Sequence, residues 1–155
     1  MSSPSSSACV TEFPRRHALG AALAVALARP AGAQPERLAA VIRAHTGGAS
    51  VQRGKVAIDI SPLVENGNAV PVTIAVDAAV DETDFVRAIA LFNERNPQPD
   101  VFVAELGPRA GRAIVSTRIR LATSQKLVAL AQLSDGSWWS DEVLVVVTLA
   151  ACVEG

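Results

Sequence analysis

The rhythm of apolar and polar positions changes once along the chain. From Pro35 to His45 the spacing is helical, with Leu38, Val41 and Ile42 on one face and Glu36, Arg37 and Arg43 elsewhere. Pro35 suits a first helical turn and Gly47-Gly48 suits a stop. After residue 48 the period falls to two. Lys55 to Ile60 alternates through Val56, Ile58 and Ile60, and Val70 to Val76 alternates through Val70, Val72, Ile74 and Val76. Further strands are predicted at 85–92, 101–106, 112–121, 125–133 and 138–149. In 112–121 the apolar face is Ala113, Val115, Thr117, Ile119 and Leu121, opposite Arg112, Arg118 and Arg120. The last strand carries an expected break at Ser140-Asp141. Turn chemistry separates the runs: Glu65-Asn66-Gly67-Asn68, Asn96-Pro97 with Pro99, Gly107-Pro108, and Asp135-Gly136, whose φ > 0 preference fits a hairpin.

About seven short strands in roughly a hundred residues predict an all-β, immunoglobulin-like sandwich with a short N-terminal helix. The domain is expected over 34–149, with the helix at 35–45 and the sandwich at 48–149. The core is expected between the inward faces of two sheets. Composition agrees: half the residues are apolar and 19% are charged, so the chain has the means to fold. Only 4% are aromatic and tyrosine is absent, so the core rests on Val, Ile, Leu and Ala.

The first 33 residues have another grammar. A Ser-rich start leads to Arg15-Arg16, then an apolar run from Ala18 to Ala28, then Ala31-Gly32-Ala33. These are the parts of an export signal, with cleavage expected after Ala33. The paired arginines favour the twin-arginine route and a periplasmic location. The apolar run is well short of the ~20 residues that cross a bilayer, so no membrane span is expected in the mature form.

Charge and reactive side chains narrow the function classes. The formal net charge is −1, and loss of 1–33 removes Arg15, Arg16 and Arg29 against Glu12, leaving 11 basic and 14 acidic groups. No field is available to hold a polyanion, so nucleic-acid binding is not expected. His45 is the sole histidine beyond residue 33 and is read as a helix C-terminal residue favoured by the dipole. One histidine and one distant cysteine make a poor metal set, and no metal or cofactor is expected. The acidic run Asp81-Glu82-Thr83-Asp84 reads as a solvated loop. Trp138 and Trp139 must point to opposite faces of a strand, one towards the core and the other exposed or at an interface. No phosphate loop or nucleophile elbow is present in the sequence, and no catalytic residues are assigned.

The distinctive end is the arm 150–155, Ala150-Ala151-Cys152-Val153-Glu154-Gly155. With Cys9 in the leader, Cys152 is the lone thiol of the mature chain and has no internal partner for a disulfide. It stays free, pairs with another molecule, or carries a covalent group. The thiolate is the reactive form, with a free pKa near ~8.5, and the neighbouring Glu154 carboxylate disfavours it. Activation would come from a partner's site.

Several runs carry a family resemblance: Glu65-Asn66-Gly67-Asn68-Ala69-Val70-Pro71-Val72-Thr73-Ile74-Ala75-Val76-Asp77, then Ile89-Ala90-Leu91-Phe92-Asn93-Glu94-Arg95-Asn96-Pro97, then Ser116-Thr117-Arg118-Ile119-Arg120-Leu121-Ala122. With the leader, the helix and the single arm cysteine, these resemble the SoxY family over most of 36–155. SoxY proteins are the cysteine-bearing subunits of the periplasmic sulfur-carrier complex of thiosulfate oxidation. The resemblance implies an immunoglobulin-like sandwich, a SoxZ-like small β protein as heterodimer partner, and covalent sulfur adducts on Cys152 while separate periplasmic enzymes or cytochromes act on them. The family arm reads Gly-Gly-Cys-Gly-Gly. Here Ala150, Ala151, Val153 and Glu154 flank the cysteine, as in a SoxY-related group reading Ala-Ala-Cys-Ile-Glu, which points to a different partner set or substrate. Two non-enzymatic alternatives stand beside the carrier: a docking or assembly module, and a redox accessory protein that forms an intermolecular disulfide through Cys152.

Overall fold

A computed structural model describes residues 33–78 and 83–149. The helix α1 runs Ala33–His45, with Glu36 in its first turn and Arg43 and His45 in its last, the order the helix dipole favours. It closes as the sequence predicts. Gly48 N–H donates to Arg43 O at 2.8 Å and Gly47 N–H to Ala44 O at 3.3 Å, with Gly47 at φ 63°. This pair of bonds satisfies carbonyls that the helix itself cannot.

Nine strands follow among the described residues: β1 Val51–Arg53, β2 Val56–Asp59, β3 Leu63–Asn66, β4 Val70–Val76, β5 Val86–Asn93, β6 Asp100–Glu105, β7 Ile114–Ile119, β8 Gln125–Leu133 and β9 Trp138–Leu149. They form a sheet in the order β1-β9-β8-β5-β6, with β3 also paired to β9, and a three-stranded sheet β2-β4-β7. The immunoglobulin-like sandwich expected from the alternation is what the chain builds.

Two strands exceed the expected seven. β1 and β3 have three and four residues and are mostly exposed, so neither shows a periodic pattern. Both pair in parallel with β9, β1 along its start and β3 along its end. The expected break at Ser140-Asp141 is absent. Ser140 pairs with both Arg53 and Leu130, and these two neighbours carry the strand straight through. The strand expected at 112–121 is trimmed to β7, because its pairing with β4 runs only from Ile114 to Ile119.

The main core lies between the sheets. Val70, Val72, Ile74 and Val76 of β4 meet Ile89 and Leu91 of β5, Leu127, Ala129 and Ala131 of β8, and Val145 of β9. A second cluster covers the other face of the large sheet: Ala90, Phe92, Val128, Leu130 and Trp138 pack under Leu38, Val41 and Ile42 of α1. β5 and β8 are therefore buried on both faces, which is why their sequences read as nearly unbroken apolar runs.

His45 takes its expected place in the last turn of α1 and packs there as well. Its ring packs edge-on against Phe92 and Trp138, at centroid distances of 5.2 and 5.5 Å. Its Nε2 is buried and has no hydrogen-bond partner. It is a packing residue at the end of the helix. The tryptophans do take opposite faces, but neither forms an open surface. Trp138 is buried under α1, and Trp139 packs half-buried against the main core. The turn from β1 to β2 explains the latter. Gly54 and Lys55 both take positive φ, 114° and 56°, and bring Lys55 Nζ to 4.7 Å from the Trp139 ring centroid. The β8–β9 hairpin is held by Asp135, whose carboxylate accepts the Ser137 N–H at 2.8 Å. The Ser137 hydroxyl and N–H hold the Asp135 carboxyl below its ordinary 3.8.

Candidate functional site

Cys152 and its neighbours Ala150, Ala151, Val153 and Glu154 lie outside the described residues, as do the leader 1–32 and Asp81 and Glu82. What is described is the strand that delivers the arm. Along β9 the even-numbered residues face the α1 side of the sheet and the odd-numbered residues face the main core. Trp138 belongs to the cluster under the helix, whereas Trp139, Val143, Val145 and Val147 belong to the main core.

The helix covers only the beginning of that outer face. Past Trp138 the face becomes polar at Ser140 and Glu142, where Glu142 meets both Arg53 and Lys126, the latter at 3.5 Å. These exposed ion pairs add little stability. Then the face turns apolar again without cover. Leu144 is 63% exposed and Val146 is 45% exposed. Leu63 of β3, 58% exposed, is the direct register partner of Val146. Leu149, 62% exposed, ends the strand but is odd-numbered and lies outside this outer-face strip. A contiguous exposed apolar strip is thus built beside the root of the arm, and such strips mark interaction surfaces.

The root itself is firmly bonded. β8 pairs with β9 only as far as Gln125↔Val145. Beyond that, Val146 N–H donates to Pro62 O at 2.9 Å and Gly67 N–H to Leu149 O at 2.9 Å. Gly67 O in turn accepts Leu121 N–H at 2.8 Å. On the β8 side the Ser124 hydroxyl accepts Val147 N–H at 2.9 Å and donates to Val147 O at 3.4 Å. From Leu149, three residues lead to Cys152, so its Cα lies within about 11 Å of that of Leu149.

Behind Ser124 sits a cluster of side-chain amides. Gln125 is 1% exposed; its Nε2 donates to Asn96 Oδ1 at 2.7 Å and its Oε1 accepts Arg95 N–H at 2.8 Å. Asn96 Oδ1 also accepts Ala122 N–H at 3.0 Å, and Asn96 Nδ2 donates to Arg120 O at 2.8 Å. The sequence analysis named Asn96 only as part of a loop, and missed Ser124, Gln125 and the exposed strip. The strip had a readable signal: Val143 to Leu149 is apolar on both faces of one strand, though only one of them meets the sandwich core. Among the described residues no three His, Cys, Asp or Glu side chains gather as a metal set. A cleft lined by Lys55, Asp84, Phe85, Ser134 and Asp135 lies by the β8–β9 turn, at the far end of β9 from the arm.

Comparison with known proteins matches residues 42–152 to the family described as sulfur oxidation protein SoxY. The match ends on the arm cysteine. Among solved structures, the sulfur carrier protein SoxY from Chlorobium limicola f thiosulfatophilum is 27% identical, with a TM-score of 0.62 over 73% of this chain and 93% of that one. A superoxide reductase (neelaredoxin) from Ignicoccus hospitalis is 17% identical, with a TM-score of 0.54 over 61% of this chain and 80% of that one. The superoxide reductase from Nanoarchaeum equitans is 14% identical, with a TM-score of 0.53 over 62% of this chain and 100% of that one. The last two share the fold alone. No curated relative matches.

Proposed function

The chain belongs to the SoxY family of sulfur oxidation proteins, and on that premise we propose that it is a non-catalytic periplasmic carrier that holds sulfur intermediates covalently on Cys152. One observation carries the reading: the family match runs through the sandwich and ends at residue 152. β9 ends only three residues before this thiol, at the edge of a well-packed domain. A thiol joined to the domain by so few residues would keep a cargo attached to it while a neighbouring enzyme acts on that cargo. The likeness to a sulfur carrier protein supports carriage over catalysis.

Other parts of the reading rest on the sequence. The twin-arginine leader supports export, and Glu154 beside the thiol supports activation inside a partner's site. The flanking Ala150, Ala151, Val153 and Glu154 make the arm stiffer and wider than a glycine arm, which favours a non-standard set of sulfur-oxidation enzymes or cytochromes.

The exposed strip favours a second, compatible role. We assign it to docking of a SoxZ-like small β protein, whose own apolar face would cover Leu63, Leu144 and Val146 next to the arm. A pure docking or redox accessory role is separated from carriage by one experiment. The mature protein is recovered from its native periplasm and its intact mass measured before and after a reductant. Carriage gives reductant-labile additions of sulfur or sulfonate on the peptide containing Cys152, and none in Cys152→Ser. A free thiol throughout, or a disulfide to one protein partner, overturns it.

A further inference from the structure

We propose that a second copy of this chain docks on the flank formed by β6 and β7, so that the sheets run on from one copy into the other. Both strands are sheet edges, in the orders β1-β9-β8-β5-β6 and β2-β4-β7. They share one flank. β2 stands over β9, where Ile58 N–H donates to the Asp141 carboxylate at 3.0 Å, so the far edges β6 and β7 lie together on the opposite side. Residues 106–113 join them at one end, and at the other Asn96 Nδ2, shortly before β6, donates to Arg120 O at 2.8 Å. An antiparallel ladder bonds alternate residues to each neighbour. Leu106 N–H donates to Arg87 O at 2.8 Å, and Val76 N–H to Ala113 O at 2.9 Å. By that alternation Val103 and Glu105 of β6, and Ile114, Ser116 and Arg118 of β7, turn their N–H and C=O groups outward. Among the described residues these groups meet no partner.

The two edges are opposite in charge. β6 carries exposed Asp100 and Glu105 and no base. Between Glu105 and Asp135 the chain has five bases and no acid, and Arg112, Arg118 and Arg120 stand exposed along β7. Among the described residues none of these side chains is ion-paired. β6 and β7 run in opposite directions on the same flank. A half-turn about an axis parallel to the strands therefore sets β6 of each copy antiparallel beside β7 of the other, and the assembly closes as a dimer. The outward groups meet in the register Glu105↔Ile114 and Val103↔Ser116. Glu105 then lies diagonal to Arg112. Val103 lies diagonal to Ile114, and these are 49% and 46% exposed in the single copy. Beyond the bulge in the β5–β6 pairing, Asp100 comes level with Arg118 and Arg120. Pairing β7 with β7 would set Arg112 opposite Arg120, which like charges disfavour. The flank lies away from β3, so the strip of Leu63, Leu144 and Val146 stays open, and the inference does not rest on the carrier reading.

The test uses the full chain with Cys9→Ser and Cys152→Ser, so that no disulfide contributes, and reads mass by sedimentation over a concentration series. This chain should form a dimer that dissociates on dilution. Glu105→Arg alone, or Arg112→Glu alone, should weaken the dimer at least about tenfold, because like charges then meet at two symmetric places. Mixed one to one, the two variants should recover it, since each offers the other the missing opposite charge. Glu36→Arg and Arg43→Glu make the same charge changes at exposed positions of α1 and should leave the dimer as it is, singly and mixed. Ser116→Pro removes an outward N–H that β4 does not use, and should give a folded monomer by circular dichroism. A monomer at every concentration overturns the proposal. So does a dimer that Glu105→Arg and Arg112→Glu leave unweakened, or one that their mixture fails to recover.

Discussion

The outer face of the large sheet presents apolar side chains at both ends of β9, and only one end is covered. At the start, Trp138 lies with Phe92 and Leu130 under Leu38, Val41 and Ile42 of α1. At the finish, Leu144 and Val146 stand open beside Leu63, separated from the covered end by the charged trio Arg53, Glu142 and Lys126. The same strand, in the same alternation, supplies both. The difference is what the chain provides to cover each. The helix is thirteen residues long, and its apolar face is filled by the first cluster. The first end is therefore part of the stable domain, and the second is left for something else, next to the arm.

Substitutions can break this comparison in a definite order. Phe92→Ala has the largest expected effect. The side chain is 1% exposed and fills the centre of the covered cluster. Its loss should destabilise the domain by about 3–5 kcal/mol, read as a fall in urea midpoint with the slope unchanged. A loss under about 1 kcal/mol would mean that the helix is not docked as described.

His45→Phe is the second, and it runs in the opposite direction. The imidazole brings a buried Nε2 without a partner into contact with Phe92 and Trp138. Replacing it with an aromatic ring that has no polar atom removes that penalty, about 1 kcal/mol, and should raise the urea midpoint. A destabilised variant would show that Nε2 makes a bond worth more than its burial costs.

These two residues also show what the sequence could and could not tell. The alternations in 70–76 and 112–121 and the apolar runs 85–92 and 125–133 made these strands legible, but not how they divide between the two sheets. The helix was legible from its face and from Gly47-Gly48. Its partner was not, because a helix face says that it is covered without saying by what. The place of His45 in the last turn was legible but its packing was not: the dipole is a local property, whereas its contacts with Phe92 and Trp138 span more than forty residues. β1 and β3 were invisible because three or four exposed residues carry no period, and only β9 makes them strands. Beside the end of β9, Ser124 was not legible. A serine in a turn is commonplace, and its role follows only from where β8 stops pairing with β9.

Leu144→Lys has the smallest expected effect on folding and gives the sharpest contrast with Phe92→Ala. Leu144 is 63% exposed, on the outer face of a strand whose inner face stays intact through Val143 and Val145. Its register partner on β8 is Lys126, so the variant also sets two like charges side by side. At an exposed sheet position both terms are small, and the urea midpoint should move by no more than about 0.5 kcal/mol in equivalent stability. Binding should respond very differently. If the bare end is where a SoxZ-like subunit docks, a buried lysine opposite an apolar face must be desolvated without a partner. Affinity measured by calorimetry should then fall at least about tenfold. Intact affinity with intact folding would remove the strip from the interface and leave the bare end unexplained. A large loss of stability would show that Leu144 belongs to the core, and the division of β9 into a covered end and an open end would collapse.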